Sequence, residues 1–318
     1  MMPCPDLPKA SIIIATYNRP KELAVAIGSI LDQTVKPLEI IVVDDGALPD
    51  PPLRSEALRK GIRYTYIRKS PDNRGLTRSR NIGIEAAAGD ILFFLDDDIQ
   101  LFTDFLETSL TCYHNHPHID GMGGGERLNK KPSISQKLWF CYEILFCMTG
   151  FKKGYFLPSA FSTNLGNPNL KTRFGPVEFL GGASFSFRRH VFETARFSEE
   201  FAGYGLGEDK EFSYRISNTH SLYANPDAKL YHFESPAMRY QKHDKAKAKI
   251  LSKYHFLTRV NVKNRFKGFW FCYAMTGFLL KRMIIMLISF DRSEVDRVMG
   301  TLAGFALILK KKQAPHGL

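Results

Sequence analysis

The chain has 318 residues, 44 Lys and Arg against 32 Asp and Glu, a net charge of +12, and 44% hydrophobic residues. That length supports one large domain or two smaller ones. The hydrophobic share and a mean hydropathy of −0.20 exclude a disordered chain and a polytopic membrane protein. Excess base asks for nucleic acid, an anionic membrane or an anionic substrate. Its placement narrows the choice: residues 239–318 carry 17 Lys/Arg and 4 Asp/Glu, net +13, and the first 238 residues sum to −1. The five cysteines form no CxxC pair, and the opening MMPCPDLPK has no apolar leader. A reduced, cytoplasmic setting without disulfides or a cysteine zinc site is expected.

In chain order, residues 11–16 (SIIIAT) read as a β-strand, and Pro20 suits the first turn of a helix running to about Leu31. Strands follow at 38–44 (LEIIVVD), 62–67 and 91–95 (ILFFL), with a helix at 76–87 that stops before Gly89. IIIA, IIVV and ILFFL do not alternate, as expected for strands covered on both faces of a mainly parallel sheet. Residues 178–187 (EFLGGASFSF) predict strand, Gly-Gly turn, strand; 209–217 predict a helix, and 230–232 a short strand. Residues 129–174 are aromatic and Gly/Pro-punctuated without a clear period, a long loop of the kind that carries function. From about Met238 the chain reads as helical.

Polar clusters sit where open parallel sheets bind ligands, beyond the strand ends: Thr16-Tyr17-Asn18-Arg19, Asp44-Asp45-Gly46 and Asp96-Asp97-Asp98. No GxGxxG follows the first strand and no GxxxxGK[ST] occurs, so dinucleotide and P-loop binding lose support. Three adjacent carboxylates repel unless bases or a cation offset them, and hard oxygen ligands suit Mg²⁺ or Mn²⁺ with a substrate phosphate. Taken alone, the triplet reads sooner as a solvated acidic turn.

SIIIATYNRP, IIVVDDG, NRGLTRSRNIGIEAAAGDILFFLDDD, FLGGASFSFRR and GEDKEFSYR, in this order and spacing, resemble family 2 glycosyltransferases of GT-A fold over about residues 11–232. The resemblance implies an α/β, Rossmann-like, mainly parallel sheet flanked by helices, with a basic, apolar helical extension at the C-terminus. It also implies transfer of a sugar from a nucleotide-diphosphate donor, usually with inversion and a divalent metal, Mn²⁺ or Mg²⁺. Residues 1–125 would be the nucleotide-sugar half, 126–237 the acceptor and catalytic half, and 238–318 the tail. By the same resemblance Thr16, Tyr17 and Arg19 line the base and ribose, and the Asp44–Asp45 pair accepts from the base. Arg80 and Asn81 lie beside the diphosphate, with Arg78 a second base nearby. Asp96 and Asp98 match the DxD motif, Asp96 toward ribose or metal-bound water and Asp98 toward the metal, with Asp97 between them on the donor side. Gly181 and Gly182 bring bare backbone to the donor sugar; a tight turn is the plainer role. Glu208 and Asp209 match the catalytic ED, Asp209 as general base, although carboxylates there also suit a helix N-terminus. Arg215 braces that helix. His232 matches a late metal or diphosphate ligand, or is structural. His114, His116 and His118 cluster around Pro117 without ligand spacing and are not expected to bind metal.

The tail interleaves base with apolar runs at 268–280, 283–290 and 298–309, none reaching the ~18 uncharged residues of a spanning helix. Aromatic apolar segments flanked by Lys/Arg suit helices at a membrane interface, on its cytoplasmic face; the alternative is packing on the catalytic domain or a second subunit. The expected partners are a nucleotide-diphosphate sugar, a glycan or glycolipid acceptor and a membrane surface, without nucleic acid, for which no binding module is recognisable. A sugar-nucleotidyltransferase is the alternative enzyme, though ATYNRP stands where its Gly-rich, lysine-bearing loop would be. No signature of an oligomeric state is present.

Overall fold

A computed structural model describes residues 6–126, 132–200, 206–233, 235, 241–258, 265–289 and 291–313. The chain divides into two units, residues 1–130 with 171–238, and residues 131–170 with 239–318. The first stretch runs β1 (Ala10–Thr16), α1 (Pro20–Leu31), β2 (Glu39–Asp44), α2 (Arg54–Arg59), β3 (Arg63–Arg68), α3 (Leu76–Ala86), β4 (Ile91–Leu95), β5 (Ile99–Leu101), α4 (Phe105–Asn115) and β6 (Gly121–Glu126). Then come α5 (Ile134–Leu145), β7 (Tyr155–Phe156), β8 (Ser162–Thr163), β9 (Gly175–Pro176), β10 (Ser184–Arg188), α6 (Val191–Thr194), α7 (Glu208–Ile216) and β11 (Leu222–His232). Three helices close the chain: α8 (Lys242–Thr258), α9 (Lys267–Ser289) and α10 (Arg292–Gln313).

In the first unit the strands order β3-β2-β1-β4-β10-β6-β11-β5, with β9 also on β11. β3, β2, β1 and β4 are parallel, β10 is antiparallel to both β4 and β6, and β6 runs parallel to β11. Both faces of the parallel half are covered. Ile12, Ile14, Ile40, Val42 and Phe93 pack under α1 and α4, whereas Ile13, Ile41, Val43, Leu92 and Phe94 face α3, α6 and α7. This two-sided burial is why IIIA and IIVV carry no polar alternation. α3 lies close on β1 because Gly83 has no side chain; a Cβ there would come within 2.3 Å of Ile13.

The expected strands and helices of the first hundred residues form within a residue or two of their predicted ends. Three later expectations change. Residues 178–187 are not a hairpin: β10 alone is strand, and Leu180 instead donates its amide to Ser213 Oγ (3.0 Å) on α7. The short strand at 230–232 is the end of an eleven-residue β11, which shifts register between Asn225 and Lys229 and so pairs with β6 first and β5 last. Within 129–174, α5 is a regular helix opened by a Ser133/Gln136 capping box. β6 (GMGGGE) is hidden by its glycines, which weaken strand propensity. Gly121 is needed because a Cβ would meet Phe187 at 2.5 Å and Leu222 at 2.6 Å.

Phe94 is the hub of an aromatic cluster, with ring centroids 5.2 Å from Phe185, 5.3 Å from Phe197 and 5.6 Å from Phe192; Phe197 stacks on Phe212 at 4.2 Å. These rings fasten α6 and α7 to the sheet. Phe94→Ala is expected to cost ~3–5 kcal/mol, read as a fall in the denaturant midpoint; a loss under ~1 kcal/mol would show that the cluster collapses around the gap.

Candidate active site

β4 ends in the middle of the sheet, and its chain turns through Asp96, Asp97 and Asp98 to enter β5. His232, the last residue of β11, pairs with Ile99 and so stands beside that turn. Its Nε2 lies 3.1 Å from Asp98 Oδ1 and 3.9 Å from Asp96 Oδ2. Asp96, Asp98 and His232 place their ligand atoms within 4.8 Å of one another, which makes them a candidate metal group among the described residues. Two carboxylates and one imidazole suit a divalent ion that accepts both oxygen and nitrogen, Mn²⁺ more readily than Mg²⁺. Asp98 is also oriented from behind, its Oδ2 accepting from the Ser235 amide (2.9 Å) while Ser235 Oγ donates to Glu22 (2.8 Å). Desolvation pushes Asp96 up to about 6 against the lowering pull of Arg80 and His232.

Asp97 faces away from this group. It is buried, accepting from Thr16 Oγ1 (2.8 Å) and pairing with Arg19 (2.9 Å), whose guanidinium also lies 3.8 Å from Asp98. The end of β1 thereby fixes the acidic turn. Burial raises the Asp97 carboxyl, and Arg19 and Thr16 oppose the shift. Tyr17 stays on the surface with the Arg74 guanidinium 5.3 Å from the centre of its ring, within cation–π distance.

Asp44 and Asp45 separate in role. Asp44 is wholly enclosed and accepts from the amides of Gly46 (2.7 Å) and Leu48 (2.9 Å) and from Tyr66 (2.7 Å). Asp45 points into the α3 entrance, where it meets Lys69 Nζ (2.6 Å), Ser79 Oγ (3.0 Å) and the Gly75 amide (3.1 Å). Lys69 is itself buried and also bonds Ser79 Oγ (2.9 Å) and the Gly75 carbonyl (3.2 Å). Sequence reasoning missed Lys69, Tyr66, Glu22 and Ser235. None lies in a recognisable motif, and each reaches the site from another element.

Arg80 is buried, its guanidinium packed against the rings of Phe185 (4.9 Å) and Phe197 (5.4 Å). It donates to Glu208 Oε1 (2.8 Å) and lies 3.5 Å from Asp96 Oδ1. One cation therefore joins the acidic turn to the start of α7. Asn81 clamps the Phe197 backbone with two 3.0 Å hydrogen bonds, and Arg78 pairs with Glu199 at the surface. Arg215 does brace α7, bonding Glu211 (2.8 Å) and the Arg196 carbonyl (2.8 Å). His116 and His118 pack against Phe174 and Tyr223.

Gly207, at φ +96°, opens α7 and sets Glu208 and Asp209 in its first turn. Glu208 is buried, and Asp209 is only partly so. Ser213 Oγ donates to the Asp209 carbonyl (2.6 Å) as it accepts from Leu180, which seats Gly182 directly on Asp209: a Cβ at Gly182 would stand 3.1 Å from Asp209 Oδ2. The bare backbone is what leaves that carboxylate open. No such contact meets a Cβ at Gly181.

Burial, with Asp209 adjacent, pushes Glu208 up to about 8, and Arg80 only partly opposes it. The unfolded residue titrates near 4.5, so the native state holds an extra proton between the two values and stability falls as pH rises through them. Glu208→Gln should flatten that fall, measured by urea unfolding of metal-free protein across the window. An unchanged slope would mean that Arg80 keeps Glu208 ionised throughout.

The sequence profile described as glycosyl transferase family 2 matches residues 11–194. A GalNAc(5)-diNAcBac-PP-undecaprenol beta-1,3-glucosyltransferase of Campylobacter jejuni is 30% identical over 199 residues, 62% of this chain and 57% of its own. A chondroitin synthase of Escherichia coli is 23% identical over 267 residues, 76% of this chain and 37% of that protein. The chain thus spans little more than half of these relatives' length, or less. Among solved structures, a mannosyltransferase of Pyrobaculum calidifontis in complex with GDP-Man and Mn²⁺ superposes at TM-score 0.56 with 13% identity, covering 96% of this chain and 87% of that one. GalNAc-T7 with UDP, GalNAc and Mn²⁺ superposes at 0.59 with 16% identity, covering 86% and 55%. At such identities the structures show the GT-A fold alone. From its matched profile and the fold that carries it, the chain belongs to glycosyl transferase family 2.

Proposed function

We propose that this protein transfers a sugar from a nucleotide-diphosphate donor to an acceptor hydroxyl, with inversion at C1 and dependence on a divalent metal. The observation that carries the reading is the partly exposed Asp209 carboxylate, cleared by Gly182 and linked through Glu208 and Arg80 to the Asp96–Asp98–His232 group. Asp96, Asp98 and His232 would hold the metal, which when bound supplies positive charge to the donor diphosphate. Tyr17 with Arg74, and Asp45 held by Lys69, are the groups we assign to the nucleoside. Thr16, Arg19 and Asp44 support them from behind.

In the transfer, the acceptor oxygen attacks C1 from the face opposite the diphosphate and its proton passes to Asp209. The C1–O bond to the diphosphate breaks with its electron pair staying on the leaving group. Glu208, bonded to Arg80, holds the first turn of α7 that carries Asp209. General-base assistance of this kind is worth ~10²–10⁴-fold.

We place the acceptor among glycans or glycolipids and the enzyme at the cytoplasmic face of a membrane. Three features support this: the undecaprenol-linked substrate in the Campylobacter relative's name, the +13 tail, and free thiols at Cys112, Cys141, Cys147 and Cys272. α9 is 23 residues long, with a stretch of mean hydropathy 1.6, and is the described helix long and apolar enough to cross a bilayer. The sequence expectation that no run reaches that length counted Lys281 and Arg282 as a break; the helix continues through them.

Asp209→Asn should lower turnover ~10²–10⁴-fold while donor affinity stays within about twofold of wild type, read by release of nucleoside diphosphate and by calorimetry. Turnover near wild type would remove Asp209 as the base. Asp98→Ala should abolish the gain in donor affinity that Mn²⁺ confers, and an undiminished Mn²⁺ effect in calorimetry would place the metal elsewhere.

A further inference from the structure

In the second unit, α5 and α9 pack side by side and run antiparallel. Phe146 stacks on Tyr273 (5.2 Å), Tyr142 donates to the Gly277 carbonyl (2.9 Å), and Trp139 lies 4.7 Å from Lys281 Nζ. Close approach needs Gly277, where a Cβ would meet Phe146 at 2.3 Å. Each helix exposes a stripe that sits one position before this contact line. On α5 it is Leu138, Cys141 and Leu145; on α9 it is Cys272, Thr276 and Leu280. For two antiparallel right-handed helices, stripes offset in the same sense from a shared contact line fall on the same side of the pair. Ile134 extends the first stripe, and Met283 and Leu287 extend the second.

Charge is arranged opposite to the habit of a water-facing helix. The exposed positions of α9 from Phe269 to Ser289 are all uncharged. The two cations within that span turn inward, Lys281 to Glu143 (2.7 Å) and Arg282 to Glu294 (3.5 Å). Exposed Lys137, beside the α5 stripe, and Arg265, before α9, supply base at the margins, within a tail of net +13. An apolar face with its charges folded away and bases at its rim complements an anionic bilayer, whose surface attracts each such base by about 1 kcal/mol. A protein partner would have to bury bare leucines without meeting any charge on the stripe.

We propose that the α5–α9 pair seats in the plane of an anionic bilayer through this shared face, so that α5, which lies outside the basic tail, is half of the membrane contact and α9 lies along the surface rather than across it. This rests on the membrane-surface reading above and assigns it a definite face. Buried on one side against the rest of its unit, α9 can offer lipid only the other.

The two native cysteines report on it directly. Cys141 or Cys272 is labelled with an environment-sensitive fluorophore, the other four cysteines being serine, and mixed with phosphatidylethanolamine–phosphatidylglycerol vesicles carrying a nitroxide high on the acyl chain. The expected result is a blue shift and nitroxide quenching at both sites. Leu138→Glu and Leu145→Glu should each cut vesicle partitioning about tenfold or more while leaving nucleotide-sugar binding unchanged. Vesicle flotation with quenching at Cys272 alone, or at neither, overturns the proposal and leaves membrane association standing. Failure to float overturns both. Concentration-dependent dimers by light scattering, with both labels shielded in the absence of vesicles, would mean that a second copy of this chain covers the face.

Discussion

The guanidinium of Arg80 is the contact on which the candidate site depends. It is buried against two phenylalanine rings and joins the first carboxylate of the acidic turn to the carboxyl that opens α7. A guanidinium desolvated in this way is tolerable only with partners on its fork and aromatic rings packed against it. Those partners in turn lose their compensation if it is removed; breaking a buried pair typically costs 3–5 kcal/mol. The same cation therefore holds two elements of different sequence origin in register, and the aromatic cluster around Phe94 supplies the rigid wall against which it is pressed.

From that centre the division of labour among carboxylates becomes physical. Asp97 and Asp44 are interior struts, saturated by Thr16 and Arg19 in one case and by two amides and Tyr66 in the other. Asp98 and Asp96 converge with His232. Glu208 sits deep enough for burial to favour its neutral form, and Asp209 beside it is partly exposed, with residue 182 too close to carry a side chain without a shift. Adjacent residues of one type thus serve different ends, because the backbone turns them toward different surroundings.

The second unit follows a different logic. Its helices turn ion pairs and small residues inward and leave apolar side chains outside, and residues 131–170 belong to it together with the tail. Charge arithmetic on the sequence located the basic region at 239–318 without showing that α5 belongs beside it. The residues that join them, Tyr142 with Gly277 and Glu143 with Lys281, are about 135 positions apart and share no pattern.

By itself the sequence determined the parallel half of the sheet, since IIIA, IIVV and ILFFL leave few alternatives for strands covered on both faces, and local propensity and pattern act over a few residues. It also identified the family, because five motifs recur in order. It could not show β6, where Gly121 makes room for Phe187 and Leu222, and it predicted at 178–187 a hairpin that the chain does not make. Tertiary structure alone decided which of the matched polar residues stay open and which are enclosed, and it recruited Lys69, Glu22 and Ser235 to hold them. The reason is that burial and pairing are properties of what surrounds a side chain, and its surroundings here come from strands and helices that the chain brings together only once folded.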